Sequence, residues 1–138
     1  MKIKNFAMLA GVAGLLAACG GSSIVEPADL NDQRVFFAFN SAEISKEAEN
    51  NLLGQALYMK NHEDVKIQIA GNCDERGSTE YNLALGARRA NAAKSVIVND
   101  GIDAKRISTI SYGKERPLVK GTGEKVWKMN RNATTTVK

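Results

Sequence analysis

Charged residues of both signs crowd one short stretch of this 138-residue chain, residues 71–90, which reads GNCDERGSTEYNLALGARRA. The run of Asp74, Glu75 and Arg76 follows Cys73 directly, and two adjacent arginines come about a dozen residues later. These residue types permit ordinary solvated charges, a nucleophilic centre built on the thiol, or a pocket that binds a charged ligand. These three hypotheses require different positions for the side chains in the fold.

Helical spacing places one of the two arginines on an apolar stripe. Arg89 lies four residues after Leu85 and seven before Val96, so it shares their face of a predicted helix. Arg88 falls on the flank of that stripe, and spacing alone does not choose firmly between the two. A guanidinium on or beside a buried stripe needs an anionic partner or a water-filled cleft. Asp74, on the loop that leads into this helix, can supply the anion.

Two arrangements of these opposite charges remain open. In the first, Asp74 and Arg89 form an internal ion pair that only holds the loop to the helix, and the protein is purely structural. In the second, both side chains face a cleft, where the carboxylate binds an ammonium group and the guanidinium binds a carboxylate through two hydrogen bonds. A free zwitterionic end, such as that of an amino acid, would fit the second arrangement.

The enzyme hypothesis depends on Cys73 and His62, the one histidine of the chain. A thiol nucleophile needs a base within hydrogen-bond reach and a group that orients the base. His62 lies in a polar stretch after the first predicted helix, and nothing places it near the thiol. One histidine and one free cysteine also offer no ligand spacing for a metal. The sequence therefore predicts no catalysis, no metal and no other cofactor.

The first residues of the chain read as a targeting signal rather than as part of the fold. Lys2 and Lys4 precede an apolar run at residues 6–16, which is shorter than the roughly 20 residues of a membrane-spanning helix. The sequence LAAC that ends at Cys19 resembles a bacterial lipobox, whose cysteine is acylated before the signal is cleaved. We therefore expect a secreted chain that keeps a lipid on its first mature residue.

These features divide the chain into a lipoprotein signal peptide at residues 1–18, a lipidated cysteine with a flexible linker at 19–32, and a folded domain at 33–138. Losing the two lysines of the signal would lower the net charge from +4 to +2. No basic cluster stands out, so a nucleic-acid partner is not indicated. With Cys19 acylated, Cys73 has no partner for an internal disulfide, and the domain must rely on its core.

Alternating segment types predict the elements that position the charged stretch. Ser45 and then Ser78 or Thr79 can cap two helices, and Asp100 with Gly101 can end the second. The predicted strands cover residues 34–39, 65–70, 106–113 and 133–137, and the predicted helices cover 46–60 and the stretch from the cap at 78 or 79 to about 99, with a short apolar patch at 126–129. The aromatic residues of the first strand and of this patch are expected in the core. The order β-α-β-α-β-(short α)-β indicates an α+β fold with a mixed four-stranded sheet packed by helices.

The stretch GNCDERGSTEYNLALGARRANAAKSV resembles the signature of the OmpA-like peptidoglycan-binding domain family. Asp74, Gly77, Asn82 and the arginine pair fall in its register, and the segments FFAFNSAEI and ISYGKERPLV resemble the family as well. The resemblance covers about residues 35–133. It implies an OmpA-like α+β fold and, as the ligand, the non-crosslinked diaminopimelate of a peptidoglycan stem peptide, whose side-chain end is a zwitterion.

The resemblance also implies a role for each matching residue. Asp74 would receive the ammonium group of diaminopimelate and Arg89 its carboxylate, which selects Arg89 over its neighbour. The other implied ligand-binding residues are Leu85 as an apolar wall, Asn82 as the residue that orients the loop, Phe39 and Asn40 as the opposite corner, and Cys73, whose backbone shapes the loop. The family usually has aspartate in place of Asn40 and tends to have arginine in place of Asn132, so the contributions of these positions are open.

The resemblance finally implies a place in the cell envelope. It suggests an outer-membrane lipoprotein, anchored in the periplasmic leaflet through Cys19, that tethers the membrane to peptidoglycan and supports envelope integrity and cell division. Gly20 after the cysteine favours export to the outer membrane. The implied protein partner is TolB of the Tol envelope system, and a weak homodimer is a further expectation. The alternative within the family is an envelope lipoprotein that has this domain but no Tol function.

Overall fold

A computed structural model of the protein describes residues 23–138, so the predicted signal peptide and Cys19 lie outside the described residues. The elements along the chain are β1 (Gln33–Phe36), α1 (Lys46–Asn61), β2 (Ile67–Asn72), α2 (Thr79–Asn99), a short 3-10 helix (Ala104–Arg106), β3 (Ile107–Gly113), α3 (Glu124–Asn130) and β4 (Asn132–Val137). This order confirms the predicted α+β fold class. The 3-10 helix is the one described element that the sequence did not predict.

The four strands form one mixed sheet in the order β1-β4-β2-β3. β4 runs antiparallel to both of its neighbours, whereas β2 and β3 are parallel and are joined by α2 as a crossover helix. Alternate residues of β2, Ile67 and Ile69, are buried beneath the helices, where they meet Leu52, Met59 and Ile97. The sheet therefore presents its apolar face to α1 and α2.

Both long helices begin at serine caps, as the sequence predicts. The hydroxyl oxygen of Ser45 accepts a hydrogen bond from the backbone N–H of Ala48 at 3.0 Å, and that of Ser78 accepts one from Tyr81 at 3.0 Å. The second cap matters for function because it fixes where α2 starts relative to the charged loop. Gly101, at φ 110°, follows the end of this helix.

Two glycines let α2 lie directly on β2. A Cβ atom added to Gly71 would fall 1.7 Å from the carbonyl oxygen of Gly86, and one added to Gly86 would fall 2.3 Å from the hydroxyl oxygen of Ser111. No larger side chain fits either position without moving backbone or side-chain atoms. This close approach sets the distance between α2 and the sheet. Arg89 lies less than one helical turn after Gly86, so the same contact positions it.

The first strand is shorter than predicted, and its aromatic residues are not all in the core. β1 ends at Phe36, which pairs with Asn132, the first residue of β4, and the next backbone hydrogen bond, from Phe37 to the carbonyl of Arg131, lies outside both strands. Phe37 is buried, but Phe36 and Phe39 are 41% and 55% exposed. Trp127 is only partly buried as well. The expectation that these aromatic residues are core is therefore wrong except for Phe37.

The predicted linker is also partly wrong, because its last residues are packed on the domain. Leu30 is fully buried and belongs to the hydrophobic core. The side-chain oxygen of Asn31 accepts a hydrogen bond from the N–H of Val137, and the N–H of Asp32 donates to the carbonyl of Thr135. Further back, Glu26 accepts a hydrogen bond from the side chain of Asn61 in α1, so the chain packs on the domain well before Gln33. Within residues 23–138, no helix has both the length and the apolar character that crossing a bilayer requires.

Candidate ligand-binding site

A cavity of about 220 Å³ opens where the loop after β2, the first turns of α2 and the turn after β1 meet. Its lining residues are Phe39, Asn40, Cys73, Asp74, Arg76, Gly77, Tyr81, Asn82, Leu85 and Arg89. All seven residues that the family resemblance implied are in this set. Arg76, Gly77 and Tyr81 were not among them. Arg88 is exposed and does not line the cavity.

Arg89 is the most deeply buried charge of the site, with 1% of its surface exposed. Its guanidinium donates to three backbone carbonyls, those of Ser41 at 2.8 Å, Asn72 at 2.9 Å and Ala38 at 3.1 Å. A guanidinium carries five N–H donors, so two remain for another acceptor. Burial lowers the pKa of Arg89, because carbonyl dipoles replace water without bringing a full negative charge. The side chain is therefore a buried cation that lines the cavity.

Asp74 is also buried, with 4% of its surface exposed, but its partners are other arginines. One carboxylate oxygen accepts from the backbone N–H and Nε of Arg76 at 3.0 and 3.2 Å. The other accepts from Nη2 of Arg76 at 2.8 Å and Nη1 of Arg131 at 3.4 Å. Burial acts to raise the pKa of Asp74, but the hydrogen bonds and charge of Arg76, with help from Arg131, outweigh burial and hold that pKa below its ordinary value.

The internal ion pair between Asp74 and Arg89, the first of the two arrangements above, is wrong. Among the ion pairs of the described residues, Asp74 is joined to Arg76 and Arg131, and none joins it to Arg89. The physical reason is that other groups compete for the hydrogen bonds of both side chains. Arg76 is two residues from Asp74 along the chain, and three backbone carbonyls already surround Arg89.

Arg76 is held between two aromatic faces as well as against Asp74. Its guanidinium carbon lies 3.9 Å from the centre of the Phe39 ring and 4.0 Å from that of Trp127. The indole N–H of Trp127 donates to the carboxylate of Glu75 at 2.7 Å, which fixes the plane of the ring. Hydrogen bonds to Thr122 and Trp127 lower the pKa of Glu75. Phe39 and Arg76 line the cavity, and Trp127 contacts Arg76 from outside that lining.

Arg131 stands behind Asp74, on the side away from the cavity. It is 6% exposed, and it donates through Nε to the carbonyl of Phe37 at 2.8 Å and through Nη2 to Glu124 at 3.0 Å. The hydrogen bond from Arg131 lowers the pKa of Glu124. No sequence pattern selected this arginine, which directly precedes Asn132. That asparagine accepts a hydrogen bond from Asn72 on the sheet.

The loop between β2 and α2 is held by a buried amide. The side-chain nitrogen of Asn82 donates to the carbonyls of Arg76 at 2.8 Å and Ser78 at 3.1 Å. Gly77, between them, has φ 99°, which favours glycine. At the opposite corner, Asn40 has φ 61° and accepts a hydrogen bond from the hydroxyl of Tyr81. Asn40 therefore retains a contact across the mouth of the cavity.

Cys73 is buried and free, with 3% of its surface exposed. Its thiol donates to the carbonyl of Asn82 at 3.3 Å. Burial raises the pKa of Cys73, with Arg89 opposing, so the reactive thiolate form is disfavoured. His62 stacks on Tyr58 at the end of α1 and does not line the cavity. Within residues 23–138, no cluster of three or more side chains is suited to hold a metal ion.

Comparisons with known proteins give a consistent match. A sequence model of the OmpA family matches residues 36–131. The peptidoglycan-associated lipoprotein of Mesorhizobium japonicum is 41% identical over 99% of this chain and 80% of its own length. That of Haemophilus influenzae is 37% identical over 96% of both chains.

Solved structures show the same relationship at the level of the fold. The crystal structure of the peptidoglycan-associated lipoprotein from Burkholderia pseudomallei superposes with a TM-score of 0.75 at 37% identity, covering 77% of this chain and 90% of that one. The C-terminal domain of Helicobacter pylori MotB superposes with a TM-score of 0.69 at 18% identity, covering 80% of this chain and 86% of that one. The second match concerns the fold alone.

Proposed function

This chain belongs to the OmpA family, and from that membership we propose that it is a lipid-anchored envelope protein that binds peptidoglycan noncovalently and catalyses no reaction. The relatives that support this function carry the name peptidoglycan-associated lipoprotein and match nearly the whole chain. The ligand we propose is the free zwitterionic end of diaminopimelate in a stem peptide that is not crosslinked.

The observation that carries the proposal is the buried guanidinium of Arg89, which lines the cavity and has no carboxylate partner among residues 23–138. Its two remaining N–H donors can bind the ligand's carboxylate in the bidentate manner that arginine favours. Asp74 lines the same cavity and is the anionic side chain that we assign to the ligand's ammonium. Leu85 provides an apolar wall, and Asn82 holds the loop that carries the carboxylate. Phe39, Asn40 and the backbone at Cys73 complete the enclosure.

We place the protein at the inner leaflet of the outer membrane, anchored by acyl chains on Cys19. Several acyl chains on one residue anchor a protein stably, whereas one chain gives only marginal affinity. In this position the domain would connect the membrane to the cell wall within the Tol–Pal system, with TolB as partner and roles in envelope integrity and cell division. A weak homodimer is part of the same proposal.

Cosedimentation with purified cell-wall sacculi tests the ligand. We expect the protein to sediment with sacculi whose stem peptides contain diaminopimelate. We do not expect it to sediment with sacculi that contain lysine at that position, since lysine lacks the side-chain carboxylate that Arg89 would bind. The Arg88→Ala variant, which loses an exposed charge beside Arg89, is the matched control and should sediment as the wild type does. Equal sedimentation with both kinds of sacculi would contradict the proposed ligand.

The second candidate is an envelope lipoprotein of the same family that binds peptidoglycan but has no Tol function. Capture of TolB by the purified protein, with and without a stem peptide, separates the two. If the TolB surface overlaps the cavity, the peptide should compete for binding. If the peptide does not reduce the capture of TolB, the two do not compete for one surface. Failure to capture TolB at all would favour the second candidate.

A further inference from the structure

The cation position beside Asp74 is already filled by the protein itself. The two carboxylate oxygens accept four hydrogen bonds, three from Arg76 and one from Arg131. An ionised carboxylate offers about four lone-pair directions in all. A ligand ammonium therefore finds no free acceptor on Asp74 while both arginines stay in place.

One of the two arginines is able to leave. The side chain of Arg76 is 32% exposed and lies at the mouth of the cavity, between the Phe39 and Trp127 rings. Arg131 has an 8% exposed side chain and also bonds the carbonyl of Phe37 and the carboxylate of Glu124. Displacing Arg76 toward solvent leaves its charge hydrated, whereas displacing Arg131 would break three contacts inside the domain.

We infer that Arg76 is a built-in competitor for the ammonium position and thereby determines which ligand ends the site accepts. This inference rests on the proposed function of the cavity. A zwitterionic end replaces the Arg76 guanidinium on Asp74 with its own ammonium while its carboxylate binds Arg89. An end that carries only a carboxylate binds Arg89 with Arg76 still in place.

Competition of this kind lowers the measured affinity for the zwitterion. The measured affinity equals the intrinsic affinity multiplied by the fraction of molecules in which Arg76 has left Asp74. Binding is therefore weak when most molecules have the pair between Arg76 and Asp74 formed. Removing the Arg76 guanidinium frees the carboxylate and removes that penalty. The same change leaves Arg131 as the cation on Asp74, so the less compensated carboxylate repels a ligand that has only a carboxylate. The two ligand classes should therefore respond in opposite directions.

The experiment measures binding by the full chain in detergent micelles, using calorimetry. The ligands are a stem tripeptide that ends in diaminopimelate and an analogue that lacks only the side-chain amine. We expect Arg76→Ala to bind the zwitterionic peptide about 3- to 10-fold more tightly than the wild type and to bind the amine-free analogue more weakly. Arg76→Gln, which keeps a long neutral side chain, should shift both affinities in the same directions. Arg88→Ala is the control for the loss of one positive charge.

The indole fluorescence of Trp127, the one tryptophan of the chain, gives a second readout. Its ring lies 4.0 Å from the Arg76 guanidinium, so displacement of that group changes its surroundings. We expect the zwitterionic peptide to change the emission of the wild type, and the change to be much smaller in Arg76→Ala. The amine-free analogue should leave the wild-type emission nearly unchanged.

The outcomes separate this inference from the proposed function. If the wild type binds the zwitterionic peptide but neither Arg76 variant binds it more tightly, the competitor role is overturned and the proposed function stands. If neither the wild type nor the folded variants bind the peptide, both are overturned. Tighter binding of both ligands by the variants would also contradict the inference, because it would mean only that a bulky side chain had been removed.

Discussion

Asp74, on the loop after β2, and Arg89, on α2, line the same cavity, yet neither is the hydrogen-bonding partner of the other. Asp74 is bound by two arginines, and Arg89 is bound by three backbone carbonyls. An anion and a cation that are each held separately can keep their geometry when a ligand with both charges enters between them. The separation is the structural basis of the proposed zwitterion site.

Arg89 should be a stability determinant as well as a ligand contact. Arg89→Ala removes the guanidinium donor from three backbone carbonyls, of which that of Asn72 is buried and that of Ala38 also accepts from the N–H of Ser41, and we expect the free energy of unfolding to fall by about 2–4 kcal/mol. Arg89→Lys should cost less, about 1–3 kcal/mol, because one ammonium cannot reach all three carbonyls but still fills part of the space. Urea denaturation checks both values. Arg88→Ala, one residue away and exposed, should change stability by less than about 0.5 kcal/mol, and an equal loss there would contradict the assignment.

The carboxylate of Asp74 should make stability depend on pH in the acid range. Its pKa in the folded protein is lower than in the unfolded chain, so its contribution is complete above the ordinary aspartate pKa of about 3.9 and is lost as the pH falls toward the lowered value. Asp74→Asn should lower the free energy of unfolding by about 1–3 kcal/mol near pH 6, and the difference should shrink near pH 3. Urea denaturation at several pH values measures this. Glu63→Gln, which alters an exposed carboxylate, is the control, and a constant difference between wild type and Asp74→Asn would refute the prediction.

The contact of Gly71 with Gly86 should not tolerate a methyl group. In Gly71→Ala the new Cβ meets a backbone carbonyl, so α2 must lift from the sheet and carry Arg89 away from its three acceptors. We expect a loss of about 2–3 kcal/mol or more in the free energy of unfolding. Thermal and urea denaturation test this, with Ser108→Ala on the exposed face of β3 as the control. Wild-type stability in the glycine variant would show that the helix is less closely packed than described.

Cys73 should behave as a core residue and not as a nucleophile. We expect its thiol to react with a disulfide reagent at neutral pH at least about tenfold more slowly in the native protein than in denaturant, because the group is buried and its pKa is raised. The measurement uses a chain with Cys19→Ser, so that a single thiol is counted. Reaction as fast as that of an unfolded chain would indicate an exposed thiolate and would revive the enzyme hypothesis.

Local signals explain why most of the fold was predictable from the sequence. Serine caps, period-two alternation in β2 and the helical spacing of apolar residues each act over a few neighbouring positions. Arg89 was placed on the buried stripe of α2 by the same spacing, and it is buried there. The end of β1 was misplaced because it depends on where β4 begins, almost a hundred residues later.

The partners of the site residues were less predictable because they come from distant segments. Arg76 contacts Phe39 and Trp127. Arg131, which donates a hydrogen bond to Asp74, is the residue that joins α3 to β4. Residue types alone predicted that a buried arginine needs an anion and that Asp74 can supply it, but they did not predict that Arg76 and Arg131 would be the partners of Asp74. A signal was present, since Arg76 lies in the charged loop itself, two positions from the carboxylate. Its aromatic neighbours became apparent only in three dimensions.

The most direct test of the central claim is calorimetric titration of the full chain in detergent with a stem tripeptide that ends in diaminopimelate. We expect saturable binding by the wild type and by Arg88→Ala. We expect at least about a tenfold loss of affinity in Arg89→Lys, which loses the planar fork that binds a carboxylate through two hydrogen bonds, and in Asp74→Asn, which loses the negative charge opposite the ammonium. Circular dichroism confirms that each variant is folded before titration. A folded wild type that binds no peptide, or binding that survives both substitutions unchanged, would contradict the claim that Asp74 and Arg89 form one ligand site.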